Sequence, residues 1–175
     1  MTDKLTLLTN AIRDVPDFPK PGILFKDIAP LLEDGAALAA TIDLLAERWD
    51  GMGIERIAGL ESRGFPFGAA LAVRLGVGFA MIRKPGKLPS KTRAVDYELE
   101  YGTDRVEMHI DSVVPGQKFL LVDDLLATGG TAAAGIRLLT ELGAELVGAA
   151  FVIELGFLDG RDRLGDIKVD SLIRY

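Results

Sequence analysis

One stretch, residues 118–131, combines four features in a fixed order and constrains the fold more than any other part of the chain. Residues 119–122 form an apolar run that predicts a strand buried on both faces, and Asp123 and Asp124 end that run. A turn with two adjacent glycines follows at residues 127–131. A helical pattern comes next, with one stripe that contains Ala132, Ile136, Leu139 and Gly143. The predicted order is therefore strand, paired acids, glycine-bearing turn and helix.

This turn has the properties of an anion-binding site. The first N–H groups of a helix lack partners within the helix, and the helix dipole adds positive potential there, so a phosphate is the natural ligand. Two acids at the end of the strand could accept hydrogen bonds from two neighbouring sugar hydroxyls. The turn is not a Walker loop, because Gly130 is followed by Thr131 rather than lysine. The alternative is an ordinary turn capped by Thr128 or Thr131, but the acids and threonines around it favour a binding site.

The run from Val122 to Thr131 resembles the phosphoribosyl-pyrophosphate signature of type I phosphoribosyltransferases, in the form found in adenine phosphoribosyltransferases. The resemblance extends over nearly the whole chain. It implies that adenine and phosphoribosyl pyrophosphate react to give AMP and pyrophosphate, as in purine salvage. It implies that Asp123 and Asp124 bind the ribose. The residues it assigns to the 5′-phosphate are Ala127, Thr128, Gly129, Gly130 and Thr131.

Composition excludes several other classes of function. The chain has no cysteine, which excludes disulfides and thiol chemistry, and a single histidine, which excludes a multi-histidine metal site. The net charge of −6 argues against nucleic-acid binding. No apolar run reaches about 18 residues, so we expect no membrane span and a cytoplasmic location.

Buried strand patterns alternate with amphipathic helices along the chain, which predicts an α/β fold with a doubly wound, mostly parallel sheet flanked by helices. The apolar runs are residues 56–60, 79–82, 119–122 and 146–153, with residues 169–173 as an edge strand. We expect a single phosphoribosyltransferase-like domain, 1–175. It would have a small N-terminal hood at about 1–34 and a core at about 35–175, which carries a flexible β-hairpin lid at 83–111. Binding sites belong at the carboxyl ends of the strands.

A second strand-to-helix turn follows residues 56–60 and carries Ser62 and Arg63. Its backbone could bind another anion with help from the Arg63 charge, or Arg63 could be a solvated helix-start residue. The resemblance implies that this is the pyrophosphate loop, with a cis peptide bond between Glu61 and Ser62.

Residues 83–93 hold five basic residues and no acid. They form either a solvated loop or a lid that closes over pyrophosphate and excludes water. The resemblance favours the lid and implies that Arg83, Lys84 and Lys87 contact the pyrophosphate.

Apolar and polar residues alternate on both sides of a turn near Gly102, which predicts a β-hairpin. From pattern alone, Glu100 is a solvated strand residue. The resemblance implies instead that Glu100 is catalytic and approaches N7 of adenine, either as a general acid or only to orient the base.

An extended segment at residues 23–28 follows three prolines, and its pattern favours a simple connector. The resemblance implies a hood that reads adenine. There, the backbone of Leu24 would contact the base edge, Phe25 would stack on the ring, and Lys26 would lie beside them.

The resemblance also implies a homodimer and a Mg²⁺ ion held mainly through substrate oxygens, with no direct protein ligand expected. Two other functions stay open: the same transfer to a 6-oxopurine, and a regulator that only senses phosphoribosyl pyrophosphate. A regulator would need a basic face or an added DNA-binding segment, and the sequence contains neither.

Overall fold

The structure is a computed structural model that describes residues 3–98 and 102–175. The chain divides into two compact units, Met1–Arg48 and Trp49–Tyr175. The predicted single domain, with its hood at about 1–34, stays a prediction. Among the described residues, no helix is long and apolar enough to cross a membrane.

The first unit contains a two-stranded antiparallel sheet and three helices. Its elements are α1 (Lys4–Asn10), β1 (Arg13–Pro16), β2 (Leu24–Asp27), α2 (Ala29–Glu33) and most of α3 (Gly35–Trp49). Asp34 accepts hydrogen bonds from the N–H groups of Ala36 and Ala37, at 2.8 and 3.0 Å, and so caps α3. The predicted extended segment is shorter than expected, because the backbone is already helical at Ile28, the N-cap of α2.

The second unit is built on a five-stranded sheet. The elements of this unit are β3 (Arg56–Leu60), α4 (Gly64–Leu75), β4 (Gly78–Ile82), β5 (Thr92–Glu98), β6 (Thr103–His109), β7 (Lys118–Leu126), α5 (Gly130–Glu141), β8 (Glu145–Glu154) and β9 (Val169–Arg174). The strand order in the sheet is β4-β3-β7-β8-β9, and every pair is parallel. This confirms the predicted fold class.

The helices α4 and α5 pack on opposite faces of this sheet. A Cβ placed on Gly68 of α4 would lie 3.5 Å from Ile57, whereas one on Gly135 of α5 would lie 3.1 Å from Leu60 and 3.3 Å from Leu121. Because side chains alternate along a strand, Ile57 and Leu60 point to opposite faces. The strand β3 is therefore covered by a helix on each side, which explains its uninterrupted apolar run.

Two boundaries differ from the predictions. The strand β7 does not end at the paired acids but continues to Leu126, because β8 pairs with it along that length, for example Asp123 with Phe151. The helix α5 ends at Glu141, so Gly143 is not on its buried stripe. Gly143 has a φ of +91° and lies in the turn that leads to β8.

The predicted hairpin is present as β5 and β6, which pair in an antiparallel register that sets Val95 opposite Val106. Both valines and Met108 are buried in the same apolar cluster as Leu138 of α5. One face of the hairpin therefore packs in the apolar core, and the other face carries polar side chains.

Candidate active site

The two predicted anion-binding turns line one cavity at the carboxyl ends of β3 and β7. Its volume is about 410 Å³. The lining residues are Glu61, Ser62, Arg63, Lys84, Asp123, Asp124, Leu125, Leu126, Ala127, Thr128, Gly129, Gly130, Thr131 and Ala132. All five residues predicted for the 5′-phosphate, both predicted ribose ligands and three of the five predicted pyrophosphate ligands are therefore brought together.

The glycine-bearing turn ends in a helix N-terminus that opens on this cavity. Gly129 is the N-cap of α5, and its φ of +80° is one that residues with a side chain rarely adopt. A glycine at this position cannot cap the helix through a side chain. The hydroxyl of Thr131 instead donates to the hydroxyl of Tyr97, at 3.3 Å. The alternative of an ordinary turn capped by a threonine is thus disfavoured, and the first-turn N–H groups suit an anion.

The paired acids sit where α4 begins. Asp124 is buried, and its Oδ2 accepts a hydrogen bond from Nε of Arg63 at 2.7 Å. The Asp123 Oδ1 accepts from the backbone N–H of Asp124 at 2.9 Å. A Cβ on Gly64 would lie 2.9 Å from that same oxygen and 2.7 Å from the carbonyl oxygen of Val122. Only a glycine allows α4 to start this close to the acids.

The two carboxyl groups titrate abnormally. Burial raises the pKa of Asp123 well above its usual range, and the neighbouring charge of Asp124 raises it further. Burial also raises the pKa of Asp124, although the Arg63 guanidinium opposes that change. Such shifts are common at functional sites.

The second turn has the predicted cis peptide bond between Glu61 and Ser62. Glu61 accepts two hydrogen bonds from the Arg83 guanidinium, at 3.1 and 3.2 Å, and one from the backbone N–H of Lys84, at 2.9 Å. Burial opposes ionisation of Glu61, but these hydrogen bonds prevail and lower its pKa. The carboxylate thus joins the second turn to the start of the basic loop.

The three predicted basic contacts differ in position. Lys84 lines the cavity, whereas Arg83 and Lys87 are not among the described lining residues. Arg83 is held by Glu61 and by the carbonyl oxygen of Lys87, and the Lys87 side chain is exposed. Their contact with pyrophosphate stays a prediction.

Two residues that the sequence did not indicate hold Lys84 in place. Its Nζ donates to Asp104 of β6 and to the Tyr97 hydroxyl of β5, the latter at 2.8 Å. The Tyr97 hydroxyl also donates to Asp104, at 2.9 Å, and accepts from Thr131. The hairpin is therefore linked to both the basic loop and the phosphate turn. The sequence contains one signal for this contact, a tyrosine that alternates with acidic residues. The same pattern also fits a tyrosine that only packs within a hairpin.

The residues predicted to bind adenine lie in β2 of the first unit. Leu24 is half exposed, Phe25 contacts Phe18 edge-to-face with 5.1 Å between ring centroids, and Lys26 Nζ lies 2.6 Å from Asp14. Glu100, the predicted catalytic residue, lies outside the described residues. All of these roles stay predictions.

A helix N-terminus, paired acids and a second anion turn at the edge of one parallel sheet are what a phosphoribosyltransferase requires. The phosphoribosyl transferase domain family matches residues 26–173. An adenine phosphoribosyltransferase of Thermosynechococcus vestitus is 56% identical over 168 residues, which are 96% of this chain and 99% of the relative. The chain therefore belongs to the adenine phosphoribosyltransferase family.

Solved structures agree with this assignment. The crystal structure of adenine phosphoribosyltransferase from Thermoanaerobacter pseudethanolicus has a TM-score of 0.95 and 51% identity, covering 98% of this chain and 99% of that one. The Saccharomyces cerevisiae enzyme, solved with adenine and an imino-altritol bisphosphate, has a TM-score of 0.91 and 42% identity, covering 97% and 98%.

Proposed function

We propose that this chain transfers the 5-phosphoribosyl group of phosphoribosyl pyrophosphate to N9 of adenine, giving AMP and pyrophosphate in purine salvage. The observation that carries this proposal is the single cavity that joins the N-terminus of α5, the paired acids and the turn at Ser62 and Arg63. Relatives that are 54–56% identical over 96–98% of this chain bear the name of this enzyme. A related enzyme of Trypanosoma brucei was solved with AMP, pyrophosphate and ribose 5-phosphate.

The sugar phosphate would be held from both ends of the cavity. The N–H groups at residues 127–131 bind the 5′-phosphate, and Asp123 and Asp124 accept hydrogen bonds from the ribose hydroxyls. As the bond from C1′ to the pyrophosphate oxygen breaks, positive charge grows on the ribose ring. The two carboxylates stabilise that charge when they are ionised. The electron pair of the broken bond leaves with pyrophosphate, N9 of adenine forms its bond to C1′, and the proton that N9 carried passes to water.

The leaving pyrophosphate would lie against the second turn. Ser62, Arg63 and Lys84 line this part of the cavity, and Arg83 and Lys87 would reach it by movement of the basic loop. Lys84 has to exchange its contact with Asp104 for one with the substrate, and both partners are anionic oxygens. Exclusion of water matters here, because water would otherwise hydrolyse the activated sugar.

The family resemblance supplies the residues that would contact the base. We assign the base edge to the backbone of Leu24, stacking to Phe25, an adjacent position to Lys26, and N7 to Glu100. Glu100→Leu against Glu100→Gln tests the last role, because glutamine keeps a hydrogen-bond donor. An unchanged kcat in the leucine variant would exclude acid–base work by Glu100.

A Mg²⁺ ion would fit this site if it binds together with the substrate. Its preferred ligands are oxygens, and it keeps several waters. The cavity offers carboxylate oxygens, but among residues 3–98 and 102–175 no group of three or more acidic or histidine side chains could hold a metal ion. We therefore propose that Mg²⁺ binds mainly through substrate oxygens, where it would neutralise charge on the pyrophosphate.

We also propose that the protein is a homodimer and that its location is cytoplasmic.

A purine panel tests the proposed function. Nucleotide formation is followed with phosphoribosyl pyrophosphate, Mg²⁺ and either adenine, hypoxanthine or guanine. We expect turnover with adenine alone. Faster turnover with a 6-oxopurine would move the specificity to that class, and tight binding of phosphoribosyl pyrophosphate without turnover would indicate a sensor.

A further inference from the structure

Two glycines from different loops meet backbone against backbone at the phosphate turn. A Cβ on Gly129 would overlap the carbonyl oxygen of Gly160 and lie 3.1 Å from its carbonyl carbon. A Cβ on Gly160 would overlap the carbonyl oxygen of Ala127 and lie 3.0 Å from the nitrogen of Gly129. Real Cβ atoms do not approach backbone this closely, so each loop occupies the space that a side chain on the other would need.

The loop that carries Gly160 is anchored to the sheet by the next residue. The Arg161 guanidinium donates to both carboxylate oxygens of Glu154, at 2.7 and 2.6 Å, and to the carbonyl oxygen of Val169, at 2.9 Å. Glu154 is only 3% exposed and also accepts from the Ser171 hydroxyl, at 2.7 Å. Bidentate hydrogen bonds between an arginine and a carboxylate are stronger than hydrogen bonds between neutral groups, and they fix the relative orientation of the two side chains.

This anchor lies directly beside the strand that leads into the phosphate turn. Glu154 is the last residue of β8, and it is in register with Leu126, the last residue of β7. The N–H of Leu155 donates to the carbonyl oxygen of Leu126 at 2.9 Å. Because the loop is tied at both points, it cannot readily withdraw from Gly129. A side chain added at Gly160 would displace the phosphate turn instead.

We propose that Gly160, held by the Arg161–Glu154 ion pair, is a positioning residue that sets the conformation of residues 127–131 and hence the affinity for the 5′-phosphate. The inference rests on the proposed function, since it takes this turn as the phosphate site. Gly160, Arg161 and Glu154 are not among the described residues that line the cavity, so they act without touching the substrate.

Gly160→Ala tests this directly. Overpacking against backbone costs about 1–3 kcal/mol, so the KM for phosphoribosyl pyrophosphate should rise about 5- to 150-fold. The KM for adenine should stay within about twofold, because binding of the base does not depend on this turn. Gly35→Ala is the matched control, since a Cβ there meets open space and the φ of Gly35 is not positive.

Arg161→Lys gives a second, milder variant in case Gly160→Ala does not fold. Lysine keeps the charge but loses the forked contact with Glu154, so the KM for phosphoribosyl pyrophosphate should again rise without a matching rise for adenine. The affinity ratio of AMP to adenosine, measured by calorimetry, should fall in both variants. That ratio isolates the 5′-phosphate, which a general loss of stability would not affect selectively.

The outcomes separate this inference from the proposed function. If the wild-type enzyme turns over adenine and both variants keep its KM for phosphoribosyl pyrophosphate, the inference is wrong and the proposed function stands. Equal rises in both KM values, together with a lowered melting temperature, would also overturn it, since they indicate general damage. A wild-type chain without turnover would overturn the proposed function and this inference with it.

Discussion

Asp123→Asn is expected to stabilise the ligand-free protein while it disables the enzyme. Burial and the charge of Asp124 raise the pKa of Asp123 well above its usual range, so ionisation of this carboxyl group lowers the free energy of unfolding. Asparagine keeps the side-chain oxygen that accepts the Asp124 N–H at 2.9 Å. The substitution therefore removes the unfavourable charge without removing the local hydrogen bond.

The sign of the effect with pH follows from the direction of the shift. A carboxyl group with a folded-state pKa above its ordinary value of 3.8 costs stability as the pH rises through that folded-state pKa. The variant should match the wild type below pH 3.8 and exceed it at neutral pH. A single stabilising substitution is typically worth about 0.5–2 kcal/mol, or about 1 to 8 °C in melting temperature at this chain length.

The same change should reduce catalysis sharply. A hydrogen bond from a ribose hydroxyl to a charged group is worth about 1.5–3 kcal/mol, so kcat/KM should fall about 10- to 150-fold. Calorimetric melting at pH 3.5 and 7.5 and initial rates at neutral pH measure both effects. Asp166→Asn, at an exposed loop position, is the control and should change neither. A lower melting temperature for Asp123→Asn at pH 7.5, or full activity, would refute the reasoning.

Three further changes test neighbouring contacts. Tyr97→Phe removes the hydroxyl that orients Lys84 and should raise the KM for phosphoribosyl pyrophosphate about 2- to 10-fold in steady-state assays; an unchanged KM would mean that this hydroxyl is idle. Gly64→Ala would place a Cβ 2.7 Å from the Val122 carbonyl oxygen and should cost about 1–3 kcal/mol by urea unfolding, whereas wild-type stability would show that the helix can shift freely. The hydrogen bond from Lys84 outweighs burial and lowers the pKa of Asp104, so its contribution to stability is present above its ordinary value of 3.8 and is lost as the pH falls through the lower folded-state pKa. Asp104→Asn should therefore destabilise the protein at pH 6 but not at pH 2, and an equal deficit at both pH values would contradict this origin.

The fold was predictable because its buried strands are short apolar runs with clear ends. The run at residues 56–60 coincides with β3, since both faces of that strand are covered. The end of β7 was not predictable in the same way. The charged residues Asp123 and Asp124 indicate the end of the strand, but pairing with the longer β8 extends β7 past them to Leu126. Strand length here depends on a partner distant in sequence, which local composition does not report.

The parts of the site that lie in one continuous segment were predictable from the sequence. Contacts between segments that are far apart in the chain were not. Local order alone indicated the phosphate turn at residues 127–131. The contact of Lys84 with Asp104 depends on how the hairpin docks, and the contact of Gly129 with Gly160 depends on two loops far apart in the chain. Neither contact leaves a spacing pattern that could be read from the sequence.

Binding of ribose 5-phosphate and of ribose, measured side by side by titration calorimetry, tests the central assignment most directly. The N-terminus of α5 at Gly130 should make the phosphate the dominant contribution to binding. We expect ribose 5-phosphate to bind at least about tenfold more tightly than ribose, a difference of about 1.4 kcal/mol. Equal affinities for the two sugars would contradict the assignment of residues 127–131 as the phosphate site.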